Sequence, residues 1–360
     1  MTDKYQFIDM AASGPGIVTA AFGNQVAYCA ASGAPGTARI VGALRDLLAR
    51  GEAGELLDRT RNWSGAPLAD ALPLRIAGGV HALYLAGKEP ALAAIYADQP
   101  GIDDASVLAA AIRRHEAALL PWLDGPPQTN EAGRSANFIA AMLWLADKGL
   151  PPKFACLEIG SSAGINLMID RYAYDLGGVR VGLANPAMSF TPEWKGASPP
   201  GPVIEIASLK GCDVAPVDLT DPGQALRLRA YIWPEHTVRF ARMDAAVAAA
   251  QARAPDLVKM NAADFVEREL AQPQAAGTTR MLMHSIVWQY VPAEQQARVT
   301  AAMETAGKLA TVERPLAWVA LEANRVSHYH ELRVRYWPGG EDEVLLASAH
   351  AHGAWIDWQG

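Results

Sequence analysis

Between residues 154 and 170 the chain reads FACLEIGSSAGINLMID, with Glu158, Gly160, Ser162 and Gly164 at alternate positions and Ser161 among them. A strand that stops here and restarts as a helix would aim backbone N–H groups and the positive end of the helix dipole at a ligand. Glycine lets that ligand approach closely, because no Cβ intervenes. The plainer reading is structural: a small-residue turn that lets a helix pack tightly on its strand.

Ligands of open α/β sheets lie beyond the carboxyl ends of the strands, so the residues after each later apolar run are the other candidates. Asp213, with Asp218 behind it, follows the run VIEIAS. A carboxylate there accepts two hydrogen bonds from a diol, or else is a solvated turn residue. Asp264 in NAAD is a second ligand carboxylate, or a cap for the helix that starts there. MHSIVWQYVP offers His284, Ser285, Gln289 and Tyr290. His284 titrates near neutrality and suits a general base, Tyr290 suits the same task, and Trp288 or Tyr290 suits stacking on a ring. The bland alternative for His284 is a hydrogen-bonded core histidine. Upstream, QTNEAGRSA offers Asn130 as a cap or substrate contact and Arg134 as a partner for a ligand carboxylate, against the commoner surface arginine. Glu322 and Asn324 close the fifth run. The pairs His328/His330 and His350/His352 also admit a metal reading, without the spacing of a known site.

These residues need elements to position them. Residues 1–150 read as an all-helical unit of about six segments, with alanine and leucine recurring at three and four residue intervals and proline–glycine clusters between. From residue 151 to 360 short apolar runs alternate with amphipathic ones, the pattern of βα units around a largely parallel sheet. Strands are expected at FACLEI, VIEIAS, DLVKM, TRMLMHSIVW and LAWVALE. Helices are expected at AGINLMIDRYAY, on either side of Pro234, at AADFVERELA and after Pro292. Residues 175–202 read as an irregular excursion with at most a short hairpin, and the tail as two strands joined at PGGED.

Hydrophobic residues make up 51% of the 360 and charged ones 19%, which supports a folded core. A net charge of -7 and the lack of any basic run argue against nucleic acid or an anionic membrane as partner. No apolar stretch approaches the ~18 residues of a membrane span. The start MTDKYQFIDMAASG lacks the form of an export signal, and three scattered cysteines suit a reducing compartment, so the expectation is a cytoplasmic protein.

The bend EIGSSAG resembles the first motif of class I S-adenosylmethionine-dependent methyltransferases, an acidic residue followed by three glycines at alternate positions, with Ser162 in place of the middle one. The stretches QTNEAGRSA, CLEIGSSAGINL, GCDVAPVDLTDP, MHSIVWQYVP and HAHGAWIDW together resemble an uncharacterised bacterial family, the domain of unknown function numbered 2332. The resemblance implies a Rossmann-like, methyltransferase-type sheet with a terminal antiparallel hairpin behind an N-terminal helical lid. It implies S-adenosylmethionine as cofactor, held by Glu158, Gly160, Ser161, Ser162 and Gly164, with Asp213 on the ribose and Asp264 on the adenine. The expected reaction is methyl transfer to a small molecule contacted by Asn130, Arg134, Gln289 and Glu322, with His284 or Tyr290 as base. The competing readings are a ligand- or partner-binding protein that keeps the fold without the chemistry, and a metal-dependent hydrolase built on the terminal histidines.

Overall fold

Helical patterning and helices coincide over residues 16–129 of the computed structural model, which describes residues 12–14, 16–324, 326, 327 and 329–360. The opening residues read above for an export signal, and His328, lie outside the described residues. The helices are α1 (Ile17–Ala31), α2 (Pro35–Arg50), α3 (Glu55–Arg61), α4 (Leu72–Leu85), α5 (Ala93–Tyr96) and α6 (Asp104–Leu119). Pro35 opens α2, where its missing N–H costs nothing, and Asp103 caps α6 by accepting from the Ser106 N–H at 3.1 Å. Ile40, Leu44 and Leu47 of α2 share a core with Leu56, Leu72, Ile76, Leu108 and Ile112.

The chain divides into two compact units, residues 1–129 with 221–241 and residues 130–220 with 242–360. The helical unit therefore ends some twenty residues before the composition shift at 150. The next helix, α7 (Ser135–Asp147), belongs with the sheet. Ser135 to Leu145 are all buried, as expected of a helix that is apolar on every side.

The second unit is built on nine strands in the order β5, β12, β11, β10, β9, β8, β1, β6, β7. Their ranges are β1 (Lys153–Ile159), β5 (Glu193–Lys195), β6 (Glu205–Asp213), β7 (Leu257–Lys259), β8 (Thr279–Ser285), β9 (Leu316–Ala323), β10 (His330–Trp337), β11 (Gly340–Ala349) and β12 (Trp355–Trp358). A separate small sheet holds β2 (Tyr172–Leu176), β3 (Val179–Gly182) and β4 (Met188–Phe190). Of the remaining helices, α8 (Pro222–Ala230) and the start of α9 (Thr237–Ala252) belong to the helical unit, while the rest of α9, α10 (Ala262–Leu270) and α11 (Ala293–Lys308) belong to the second unit. Strands β7, β6, β1, β8 and β9 run parallel, and β10, β11 and β12 continue the sheet antiparallel. The fold is thus mixed α/β, with a mostly parallel sheet, antiparallel terminal strands and an N-terminal helical region. Among the described residues no helix is long and apolar enough to cross a membrane.

Three local expectations change. The helix expected at AGINLMIDRYAY is a seven-residue 3-10 turn, Ile165–Arg171, and the chain is a strand from Tyr172 onward. Tyr172, Tyr174 and Leu176 point inward at alternate positions, so a period of two wins over the helical one. The Tyr172 hydroxyl donates to Ile165 O at 3.0 Å and the Tyr174 hydroxyl to Ser135 Oγ at 3.0 Å, fixing that choice. Pro234 does not open a helix; α9 starts at Thr237. The edge strands β5 and β12 were not foreseen, since three or four residues are too few to carry a period.

Candidate functional site

Order within the parallel block is third, second, first, fourth, fifth, so the chain reverses direction between β1 and β8. The crevice beyond the strand ends at such a switch point is where open α/β sheets hold ligands. Register brings Glu158 level with Gly211 of β6 and Met283 of β8, and His284 level with Ala320 of β9. Antiparallel β10 begins at this same edge, with Glu331 opposite Glu322, and β11 ends there, with Ala349 opposite His330.

The bend after β1 has left-handed backbone at alternate residues: φ is 68° at Gly160, 53° at Ser162 and 70° at Gly164. A Cβ at Gly160 would lie 2.2 Å from Val287 Cγ2, and one at Gly164 2.9 Å from Pro255, so both the angle and the space require glycine. Ser162 takes the same conformation with a side chain, a strain of order 1 kcal/mol that persists where the surroundings enforce it. Its amide enforces it by donating to Asp213 Oδ2 at 2.8 Å. The Ser161 N–H donates to Cys212 O at 3.0 Å, the Gly164 N–H to Ser161 O at 2.8 Å and the Ile165 N–H to Asn130 Oδ1 at 3.0 Å. The amides expected to cradle a ligand therefore tie the bend to β6 and to Asn130, and the helix whose dipole was invoked is only the short 3-10 turn. What the bend leaves open is side-chain oxygen.

Glu158 lies beneath it, 2% exposed. Burial pushes its carboxyl up to about 7, Asp213 adds to the rise, and the Asn166 amide, donating at 2.8 Å, and the charge of Arg134 oppose it. Three buried oxygens here, Glu158 Oε2, Ser162 Oγ and Asn166 Oδ1, have no hydrogen-bond partner among the described residues, and neither has Asn137 Oδ1 on α7. Buried polar atoms are nearly always paired, so such a group of acceptors marks a place for donors from outside the chain.

Arg134, 5% exposed, donates from Nε to Ala351 O at 2.8 Å. A Cβ on Gly133 would lie 2.5 Å from His352 O, and one on Gly353 2.2 Å from Gly133 O. EAGR and HAHG thus pass backbone against backbone, which only glycine permits. Arg242 joins them, Nη1 lying 3.3 Å from Glu131 Oε1. His350 Nδ1 accepts from the His352 N–H at 3.1 Å. His330 is held below the ordinary histidine range by burial and then by the positive charge of Arg134, with Glu322 opposing. Among the described residues no group of three or more His, Cys, Asp or Glu side chains converges as metal ligands.

His284 is 2% exposed, and both its ring nitrogens are engaged. Nδ1–H donates to Glu322 Oε1 at 2.7 Å, Nε2 accepts from the Trp318 indole N–H at 3.0 Å, and the ring stacks on Trp288 at 5.1 Å. No lone pair remains for a substrate proton, so the base expected here is a core histidine. Glu322 also accepts from the N–H groups of Val287 at 3.1 Å and Trp288 at 3.2 Å, clamping the turn after β8. Gln289 and Tyr290 stand on that turn facing solvent, Tyr290 70% exposed. Asp264 is a correction too: Asn261 caps α10 by accepting from the Asp264 N–H at 2.9 Å, and the Asp264 carboxylate pairs with Arg298 at 2.7 Å and the Asn261 amide at 2.6 Å. Those partners hold that exposed carboxyl below its usual range.

The edge thus gathers Asn130, Arg134, Glu158, Gly160 to Gly164, Asp213, His284 and Glu322 in one rim, and leaves Asp264, Gln289 and Tyr290 to surface tasks. Sequence reading missed Asn137 and Asn166. Their signal was present, a lone amide inside the apolar runs SANFIAAMLWLA and INLMI.

Sheet order and buried acceptors define an α/β protein whose candidate site lies at the carboxyl edge of its strands. The chain belongs to the bacterial family described as "uncharacterized protein conserved in bacteria (DUF2332)", whose family model matches residues 19–358. Neither the curated proteins nor the solved structures give a match.

Proposed function

We propose that the crevice binds S-adenosylmethionine and that the chain transfers its methyl group to a small molecule. The observation that carries this reading is the set of unpaired buried oxygens around Glu158, beside a bend left-handed at residues 160, 162 and 164. Those acceptors suit a ligand that is cationic and rich in donors: the methionine ammonium carries three N–H donors and the sulfonium a positive charge. Glu158, Asn137 and Asn166 would hold that part. Asp213, whose Oδ1 accepts from the Ala215 N–H and Oδ2 from the Ser162 N–H, keeps lone pairs for the ribose hydroxyls. When bound, the cofactor supplies an electrophilic methyl group.

With His284 engaged at both nitrogens, the chain's contribution is alignment of donor and acceptor, worth roughly 7 to 11 kcal/mol, rather than proton abstraction. That favours acceptors that arrive with a free electron pair. The same engagement of His284 supports a second reading, a binding protein without transfer. Cys29, Cys156 and Cys212, all free and buried, support a cytoplasmic location.

Isothermal titration of the full chain with S-adenosylmethionine and S-adenosylhomocysteine tests the first reading. Micromolar binding is expected, weakened tenfold or more in Asp213→Ala. No heat with either compound would end it, and binding without methyl release to any acceptor would favour the second.

A further inference from the structure

The helical unit contains a hollow of its own. It is about 40 Å³, lined by residues of that unit alone, among them Ala77, His81, Tyr96, Tyr231 and Trp233. That volume holds roughly three water-sized groups, at about 10 to 15 Å³ each. The walls are apolar and aromatic: His81 lies 5.2 Å from the Tyr96 ring and 5.8 Å from Phe240, which meets it edge-on.

His81 supplies a strong polar feature that its surroundings leave unused. The residue is 3% exposed, and its Nδ1 lies 2.9 Å from Ala230 O, so Nδ1 carries the proton and Nε2 a lone pair. That Nε2 is buried without a partner among the described residues, and so is the Tyr231 hydroxyl. Burial, with a smaller push from the charge of Arg229, holds the ring well below the ordinary histidine range, so it is neutral at physiological pH. A buried, neutral imidazole acceptor at the wall of an aromatic hollow is complementary to one donor on a compact, uncharged body. A charged ligand would find too little polar surface to replace its water.

We propose that this hollow is a second ligand site, one that takes a compact, uncharged, largely apolar molecule, or the end of one, through a single N–H or O–H donated to His81 Nε2. It is independent of the strand-edge reading, since it uses no residue of the crevice.

Ethanol and dimethyl ether test it, being isomers of three heavy atoms that match the hollow and differing in whether the molecule carries an O–H. In nuclear magnetic resonance titrations of the full chain, ethanol is expected to shift the His81 ring signals and to bind at least fivefold more tightly than dimethyl ether. In His81→Leu that preference should vanish. Ala77→Leu, which fills the hollow and keeps the imidazole, should abolish binding of both, so a fold lost in the first variant leaves the second to decide. Equal affinity for the two isomers in the parent chain, shifts confined to residues outside the hollow, or His81 signals that report ordered water only would each overturn the proposal.

Discussion

Replacing Glu158 by glutamine removes a charge and almost nothing else. The Asn166 amide, now 2.8 Å from Glu158 Oε1, keeps an oxygen to donate to, and the unpaired Oε2 becomes an NH₂. Burial raises the native carboxyl from 4.5 to about 7. At about 1.4 kcal/mol per pKa unit this is a cost of about 3 kcal/mol for holding the charge inside the fold. The sign follows from linkage. Because the folded pKa lies above the unfolded one, the native state binds the proton more tightly between pH 4.5 and 7, so stability falls as pH rises through that window and stays low above it. Glu158→Gln lacks that loss. Its stability relative to the parent should climb by about 3 kcal/mol between pH 4.5 and 8, whatever constant offset the new amide brings. Urea denaturation followed by tryptophan fluorescence at four or five pH values measures this. A difference between variant and parent that stays flat within about 0.5 kcal/mol would refute the buried-charge argument. If the crevice binds a cation, the same variant should bind S-adenosylmethionine at least tenfold more weakly, the usual exchange of stability against function.

Three further outcomes follow from the same geometry. His81 is depressed from 6.5 to about 4, chiefly by burial, so the parent should lose about 3 kcal/mol relative to His81→Gln as pH falls through that range. This window overlaps that of Glu158 with opposite sign, so only variant-minus-parent profiles, and not the parent's own, separate the two. Ser162→Gly relieves a left-handed serine and removes its unpaired hydroxyl, and should raise stability by about 1 kcal/mol in thermal or urea melts. Gly160→Ala should cost about 3 kcal/mol or more, because its methyl meets Val287. Adding Val287→Ala should recover part of that and leave the 1 to 2 kcal/mol due to φ alone, a cycle readable by denaturation.

Much of the architecture was legible because periodicity is a local property. Leu44, Leu47 and Leu48 fall on one face of α2, and FACLEI, DLVKM and LAWVALE are short apolar runs bounded by turn residues, so helices and strands were found where the pattern ran long enough. AGINLMIDRYAY failed because two periods compete there: the residues up to Asp170 fit a helix, while Tyr172 and Tyr174 fit a strand. The contacts that decide between them, Tyr174 on Ser135 above all, are 39 residues distant in the chain. Among site residues, the bend at 158–164 and Asp213 announced themselves by type and place. Asn137 and Asn166 gave only a lone amide in an apolar run, a signal that acquires meaning once its neighbours in space are known.

By itself the sequence determined the order of the longer elements, the position of the bend and the need for small residues in it, since glycine and alternation act on the few residues beside them. Only the tertiary structure decided what each polar group is free to do. It spent the amides of residues 161, 162, 164 and 165 on Cys212, Asp213, Ser161 and Asn130, and both nitrogens of His284 on Glu322 and Trp318. It left the oxygens around Glu158 unmatched. A hydrogen bond depends on where its partner lies in space, and partners drawn from distant strands have no signature in the stretch of chain that needs them.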